Sequence, residues 1–259
     1  MPKLIIGSHL RESANIMSII KSPVSRGHPA LSQPIWLVMR ACSQVFFRSK
    51  LIPHAEGLEH LPPSGPVLIV ARHFHYFYDG YVLVRTIPRP LHIIVALDWL
   101  QSRALRLLIE FACSLADFPI ILRDERFREH KEDQAWAYRR VEARRYLRQM
   151  LQTAMRLLHS GEILVMFPEG YPNIDPHPTP KPDLDAFLPF RPGFIKLAEL
   201  VERDGKTRVA IIPAGFTYIL KPGKPWHATV RFGAALYRSD FTRTEQLLQA
   251  VEERVHALS

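Results

Sequence analysis

The segment Arg72-His73-Phe74-His75-Tyr76-Phe77-Tyr78-Asp79-Gly80 sets two imidazoles within reach of one carboxylate. An imidazole that donates from one ring nitrogen to a carboxylate is held in a single tautomer. Its other nitrogen can then take a proton from a hydroxyl. His73 and His75 are both candidates for that base, with Asp79 as the brace. On a helix His75 and Asp79, four apart, would share a face, whereas His73 would reach Asp79 only from the loop before the first turn. The plainer alternative is an aromatic-rich core with hydrogen-bonded histidines. No serine or cysteine stands beside these histidines in a G-x-S-x-G pattern, and Cys113 is a weak nucleophile candidate, so the residues favour base catalysis over a covalent intermediate. His73, His75 and Asp79 could imitate a metal site, but no readable spacing supplies another ligand, and no metal is expected.

Two further segments carry chemistry. Val165-Met166-Phe167-Pro168-Glu169-Gly170 ends an apolar run with a glutamate and a glycine, so Glu169 is placed to orient loops or a substrate hydroxyl, or else simply sits at a surface turn. Phe118-Pro119-Ile120-Ile121-Leu122-Arg123 puts an arginine just past a short apolar run, and a guanidinium grips phosphate through a charge-assisted fork.

The elements that must position these groups are readable from periodicity. Apolar runs at residues 67–71, 92–96, 163–167 and 209–213 predict buried strands, and apolar residues at helical spacing predict a long helix over 136–159. Strands alternate with helices, which indicates an α/β fold. The histidine segment follows the first of these runs, and sites in such folds gather at the C-terminal ends of strands. Residues 171–192 carry Pro172, Pro176, Pro178, Pro180, Pro182, Pro189 and Pro192 and must form a long loop, a common seat of function. Residues 35–47 surround Arg40 with apolar side chains and predict a helix, either amphipathic and membrane-associating or simply core-packed. Residues 1–33 predict an arm or loose helix.

At 259 residues, 47% hydrophobic and 23% charged, the chain suits one α/β domain with an appended helical segment. Lys and Arg exceed Asp and Glu by 34 to 25, and the net charge of +9 favours anionic partners. Arg139, Arg140, Arg144, Arg145, Arg148 and Arg156 crowd the long helix and suggest a face for an anionic surface, or merely a solvated one. Cys42 and Cys113 fit no metal or disulfide spacing and predict reduced thiols of a cytoplasmic protein. No apolar run approaches the roughly 20 residues of a membrane-spanning helix, and no secretory signal is expected.

Taken in order, these fragments resemble the glycerolipid acyltransferase superfamily, the lysophosphatidate acyltransferase-like enzymes, from about Phe47 to Leu236. Glu56-Gly57-Leu58-Glu59-His60-Leu61-Pro62 is similar to the family's lead-in, and residues 65–73 to its strand ending in the catalytic histidine. Residues 118–123 resemble the acceptor-phosphate block, and residues 167–170 the proline-glutamate-glycine block. Residues 190–198 resemble the segment that follows, and residues 210–214 the late strand ending in proline. The family usually sets four residues between histidine and aspartate; here five separate His73 from Asp79 and three separate His75 from it. Counting from the strand aligns His73 with the family's base and leaves His75 as the rival. Arg72 stands where the family has asparagine, and Tyr171-Pro172-Asn173 where it has threonine and arginine, which puts the acceptor headgroup in question.

The resemblance implies a mixed, mostly buried β-sheet flanked by helices. Residues 1–46 would form an N-terminal arm and membrane-associating amphipathic helix, and residues 47–259 the catalytic domain. It implies an O-acyltransferase of phospholipid biosynthesis that moves a fatty acyl group from acyl-CoA or acyl-carrier protein to lysophosphatidate or a related lysophospholipid. Catalysis would fall to His73 or His75 with Asp79, and substrate binding to Arg72, Arg123, Glu169, Gly170 and Lys196, with no cofactor beyond the acyl thioester. The expected setting is cytoplasmic, peripheral on the inner face of the cell membrane. Two other readings stand beside it. One is an inactive lipid-binding or adaptor member of the same fold; the other, resting on charge alone and with no helix-turn-helix, zinc or RNA-binding signature, is a nucleic-acid binder, and nucleic acid is not expected as a partner.

Overall fold

The computed structural model describes residues 29–129 and 137–259, so the expected arm lies outside the described residues as far as residue 28. Helix α1 spans Pro29–Phe47, with β1 at Leu51–Glu56 and β2 at Val67–Ala71. All five residues of β2 are buried. A strand without a polar residue is stable only when both faces are covered, and β2 accordingly lies inside the sheet. Its neighbours run parallel to it on both sides: β6 (Ile163–Met166) and β7 (Ala210–Ile219). The six-stranded order is β1-β8-β7-β2-β6-β3, with β3 at Leu91–Ile93 and β8 at Trp226–Phe232. Only the β7–β8 pair is antiparallel, so the sheet is mixed.

Alternation along β2 divides the core. Val67, Ile69 and Ala71 face Tyr81, Val82 and Leu83 of α2 (Tyr78–Thr86) together with Trp36 of α1. Leu68 and Val70 face Met150, Ala154 and Leu157 of α5 (Ala143–His159), Phe194 and Leu197 of α6 (Gly193–Glu202), and Val251 of α7 (Thr244–Leu258). Each fully buried aliphatic contributes about 1.5–3 kcal/mol, so β2 is firmly held from both faces. The remaining elements, α3 (Arg103–Leu115), the short pair β4 (Val95–Ala96) and β5 (Ile120–Ile121), and α4 (Asp124–Glu129), lie between β3 and α5. They enclose a smaller cluster of Leu97, Leu100, Leu122, Tyr138 and Tyr146.

The structure corrects three expectations. The run at 92–96 is two strands, because Ile94 N–H donates to Val165 O while Val95 N–H donates to Pro119 O, so the chain passes from one sheet to the other. The helix expected from residue 136 begins at Ala143: Tyr138 is drawn into the small cluster, and the Arg139 N–H donates to Glu142, whose carboxylate also receives Arg106. Trp136 lies outside the described residues. The strand at 209–213 continues to Ile219 and pairs with β8, which the apolar runs did not reveal. The predicted loop over 171–192 forms no helix or ladder strand apart from a single bridge between His75 and Ile174.

α1 packs on the core along one face and leaves apolar residues exposed on another. Trp36 is buried and Arg40 donates to the carbonyls of Arg85 and Ile87, yet Leu37, Val38, Val45 and Phe46 are all exposed. No helix among the described residues is long and apolar enough to cross a membrane.

Candidate active site

The register of the central strands assembles the site. Val70 of β2 lies beside Met166 of β6 and Pro213 of β7, so the chains leave these strands level with one another. His73 therefore emerges next to Phe167 and Glu169. The rings of His73 and Phe167 stack 4.2 Å apart.

α2 starts at Tyr78, so Asp79 lies in its first turn and His75 is not helical. The shared helical face expected for His75 and Asp79 does not form. Instead residues 74–77 fold into a turn around the Asp79 carboxylate, which is completely buried. Its Oδ2 accepts from the backbone N–H of Phe74 at 2.8 Å, from that of His75 at 3.1 Å and from His73 Nδ1 at 2.8 Å. Its Oδ1 accepts from the Tyr218 hydroxyl at 2.6 Å. Burial, with the carboxylate beside it, pushes the Tyr218 hydroxyl well above the usual tyrosine range, which keeps it a donor.

The two imidazoles thus differ in kind. A carboxylate only accepts, so His73 carries its proton on Nδ1 and presents Nε2 as an acceptor. The side chain is 18% exposed, and no residue among those described hydrogen-bonds to Nε2. His75 is buried and turned away from the carboxylate. Its Nδ1 accepts from the backbone N–H groups of Phe77 and Tyr78, both at 3.2 Å, and its ring stacks on Tyr78 at 4.0 Å. Burial lowers its pKa from the usual 6.5, so it stays neutral.

Glu169 is not a surface-turn residue but a buried tie. One oxygen accepts from His73 N–H at 3.1 Å and from the Lys181 ammonium, and the other accepts from Leu188 N–H at 3.1 Å. Lys181 also donates to the His73 carbonyl and to Asn173 Oδ1, each at 3.0 Å. Arg72, also buried, donates to the Leu184 and Ala186 carbonyls and stacks its guanidinium on Phe187 at 4.0 Å. Both sides of the histidine are thereby bonded to the long loop.

Arg123 is gripped by Asp98, with Nε at 3.0 Å from one oxygen and Nη2 at 2.8 Å from the other. Its Nη1 donates to the Gly170 carbonyl, and the guanidinium lies over Tyr171. Gly170 has φ +78, and the Arg191 guanidinium sits 3.6 Å from where a Cβ would stand. Lys196 stands exposed on α6, and no hydrogen bond or ion pair joins it to these residues. Among the described residues no group of His, Cys, Asp or Glu is arranged to hold a metal ion.

Sequence reasoning missed Tyr218, Lys181, Asp98, Phe167 and Arg191. A signal existed for Lys181, a lone amine in a loop singled out for its prolines, and for Asp98, an acid just past a strand. Tyr218 carried none, because only pairing across the sheet brings it to Asp79.

Residues 53–217 match the family model described as Acyltransferase. The crystal structure of the 1-acyl-sn-glycerophosphate (LPA) acyltransferase PlsC from Thermotoga maritima matches with a TM-score of 0.56, covering 96% of this chain and 86% of that one at 15% identity, a likeness of fold. No curated protein matches the chain in sequence.

Proposed function

Because the chain belongs to the acyltransferase family, we propose that it moves a fatty acyl group from acyl-CoA or acyl-carrier protein to a hydroxyl of lysophosphatidate or a related lysophospholipid, with His73 as general base. The observation that carries this reading is the 2.8 Å contact from His73 Nδ1 to Asp79, which leaves Nε2 open on the exposed side. In the proposed step Nε2 takes the acceptor's hydroxyl proton as the oxygen adds to the thioester carbonyl carbon. The oxyanion then collapses, the carbon–sulfur bond breaks, and the imidazolium returns its proton to the departing thiolate. Asp79 stays ionised and offsets the positive charge on the ring. A thioester is already activated, so no covalent intermediate is required.

Arg123, held by Asp98, acts in this reading by fixing the Glu169-Gly170-Tyr171 turn. The half-exposed Arg191 beside Gly170, whose guanidinium is ion-paired with Glu125, exchanges that carboxylate for the acceptor phosphate in this reading. The loop ties of Glu169 and Arg72 shape the wall of the site, and Lys196 has no part in it. The setting is the inner face of the cell membrane, reached from the cytoplasm and approached by α1 and the basic α5.

The test is release of free thiol from an acyl thioester by the purified protein. The reading expects release that requires lysophosphatidate, with phosphatidate formed in equal amount. Binding of both lipids without turnover would favour the inactive member of the fold.

A further inference from the structure

α3 is an amphipathic helix turned inside out. Two of its three charged side chains point inward: Arg106 donates to Glu142 at 3.0 Å, to Tyr146 Oη at 3.1 Å and to the Ala137 carbonyl, while Glu110 accepts from Arg106 Nε at 3.1 Å and from the hydroxyls of Tyr138 and Tyr146. Its large apolar side chains point outward, with Leu107, Leu108 and Phe111 exposed by 68%, 64% and 63%, and Leu115 by about half. Positions i, i+1, i+4 and i+8 form one stripe along the helix. A helix packed on a core for life in water has the opposite arrangement. The inward polar network makes this orientation specific, because rolling the helix over would take from Glu142 and from the Tyr138 and Tyr146 hydroxyls the partners that Arg106 and Glu110 supply.

The stripe is fringed by cations. Arg103 in its first turn is exposed, and its outward face carries no acid, since Glu110 is turned in. On neighbouring α5, Arg144, Arg145 and Arg148 are exposed beside Leu147. A second copy of the chain docked here through a two-fold axis would bring these arginines against their own kind. An anionic bilayer accepts both the apolar stripe and the basic fringe. Continuity points the same way: Leu115 and Ala116 at the end of α3 line one cavity with Ile35, Trp36 and Met39 of α1, whose outward face is also apolar.

We propose that α3 is a docking helix that lies in the surface of an anionic lipid bilayer, with Leu107, Leu108 and Phe111 among the acyl chains. The acyltransferase reading adds only the reason, since it draws its acceptor from such a bilayer; the docking is read without turnover.

The test uses the full chain with Cys42→Ser and an environment-sensitive fluorophore on Leu108→Cys, mixed with vesicles of phosphatidylcholine and phosphatidylglycerol. A matched protein carries the label on Gln249→Cys of α7. The expected result is a blue shift at 108, quenched by lipids brominated in their acyl chains, and no change at 249. The variant Leu107→Gln/Leu108→Gln/Phe111→Gln, whose substitutions are all exposed, binds these vesicles at least about tenfold more weakly at an unchanged melting temperature. A label at 108 that ignores vesicles to which the protein is bound would overturn the proposal. So would a shift that needs no lipid and grows with protein concentration, the mark of a second copy. Adding His73→Ala abolishes turnover under the catalytic reading and leaves every one of these signals in place, so failure of either idea is visible apart from the other.

Discussion

Oδ2 of Asp79 receives three donors and Oδ1 one, so a carboxylate with no solvent contact is fully hydrogen-bonded. That closure explains how five intervening residues serve where four are usual: the added residue is absorbed by a turn whose N–H groups bind the same oxygen as the imidazole. The sequence named both histidines and the aspartate, and counting from the strand set His73 ahead of His75, but spacing to the aspartate alone did not separate the rings. The choice depends on where α2 starts, and a helix beginning at residue 75 would have reversed it. Tyr218 was illegible for a related reason, since it lies 139 positions from Asp79 and only strand pairing joins them. Its hydroxyl fixes the carboxylate's rotation, so Tyr218→Phe should lower kcat several-fold with KM little changed. Urea unfolding should show a loss of about 1.5–3 kcal/mol, the usual worth of a hydrogen bond to a charged group. Unchanged kcat in a destabilised protein would make the residue structural only.

Among the elements, strands buried on both faces were legible because nothing but apolar residues can occupy them, as in β2 and β6. β1 and β8 were not, because β1 alternates half-buried residues with exposed ones such as Glu56, β8 alternates buried residues with half-buried polar ones such as Arg231, and neither leaves an apolar run. The proline count revealed the loop over 171–192 but not its anchors. Lys181 and Glu169 are both without solvent contact, so removing one partner strands the other's charge. Lys181→Met should therefore cost about 3–5 kcal/mol in urea unfolding, and Lys181→Met/Glu169→Gln should recover part of it. If the double variant is no better than the single one, the ion pair is not what holds the loop.

For the whole molecule, composition gave the sign of the charge but not which faces carry it. The inverted α3 was illegible, because its pattern reads as an ordinary amphipathic helix until its orientation is known. Packing also sets the response to acid. His92 is buried, with Nδ1 donating to the Ala116 carbonyl and Nε2 unpartnered, and burial lowers its pKa from the usual 6.5, as it does for His75. The unfolded chain therefore takes up protons first as pH falls below about 6.5, and stability declines from there toward the lowered folded values. Carboxylates stabilised in the fold, Asp204 with a pKa of about 2 among them, act at lower pH. Urea unfolding across pH 7.5 to 5.5 should show this decline, and a shallower one in His92→Gln; equal slopes would remove His92 from the account. The central claim concerns one ring. It is tested most directly by kcat/KM for thiol release with lysophosphatidate in His73→Ala and in His75→Asn, which keeps an acceptor for the Phe77 and Tyr78 N–H groups. The account predicts a loss of about 10²–10⁴-fold in the first and a few-fold change in the second, and the reverse order would contradict it.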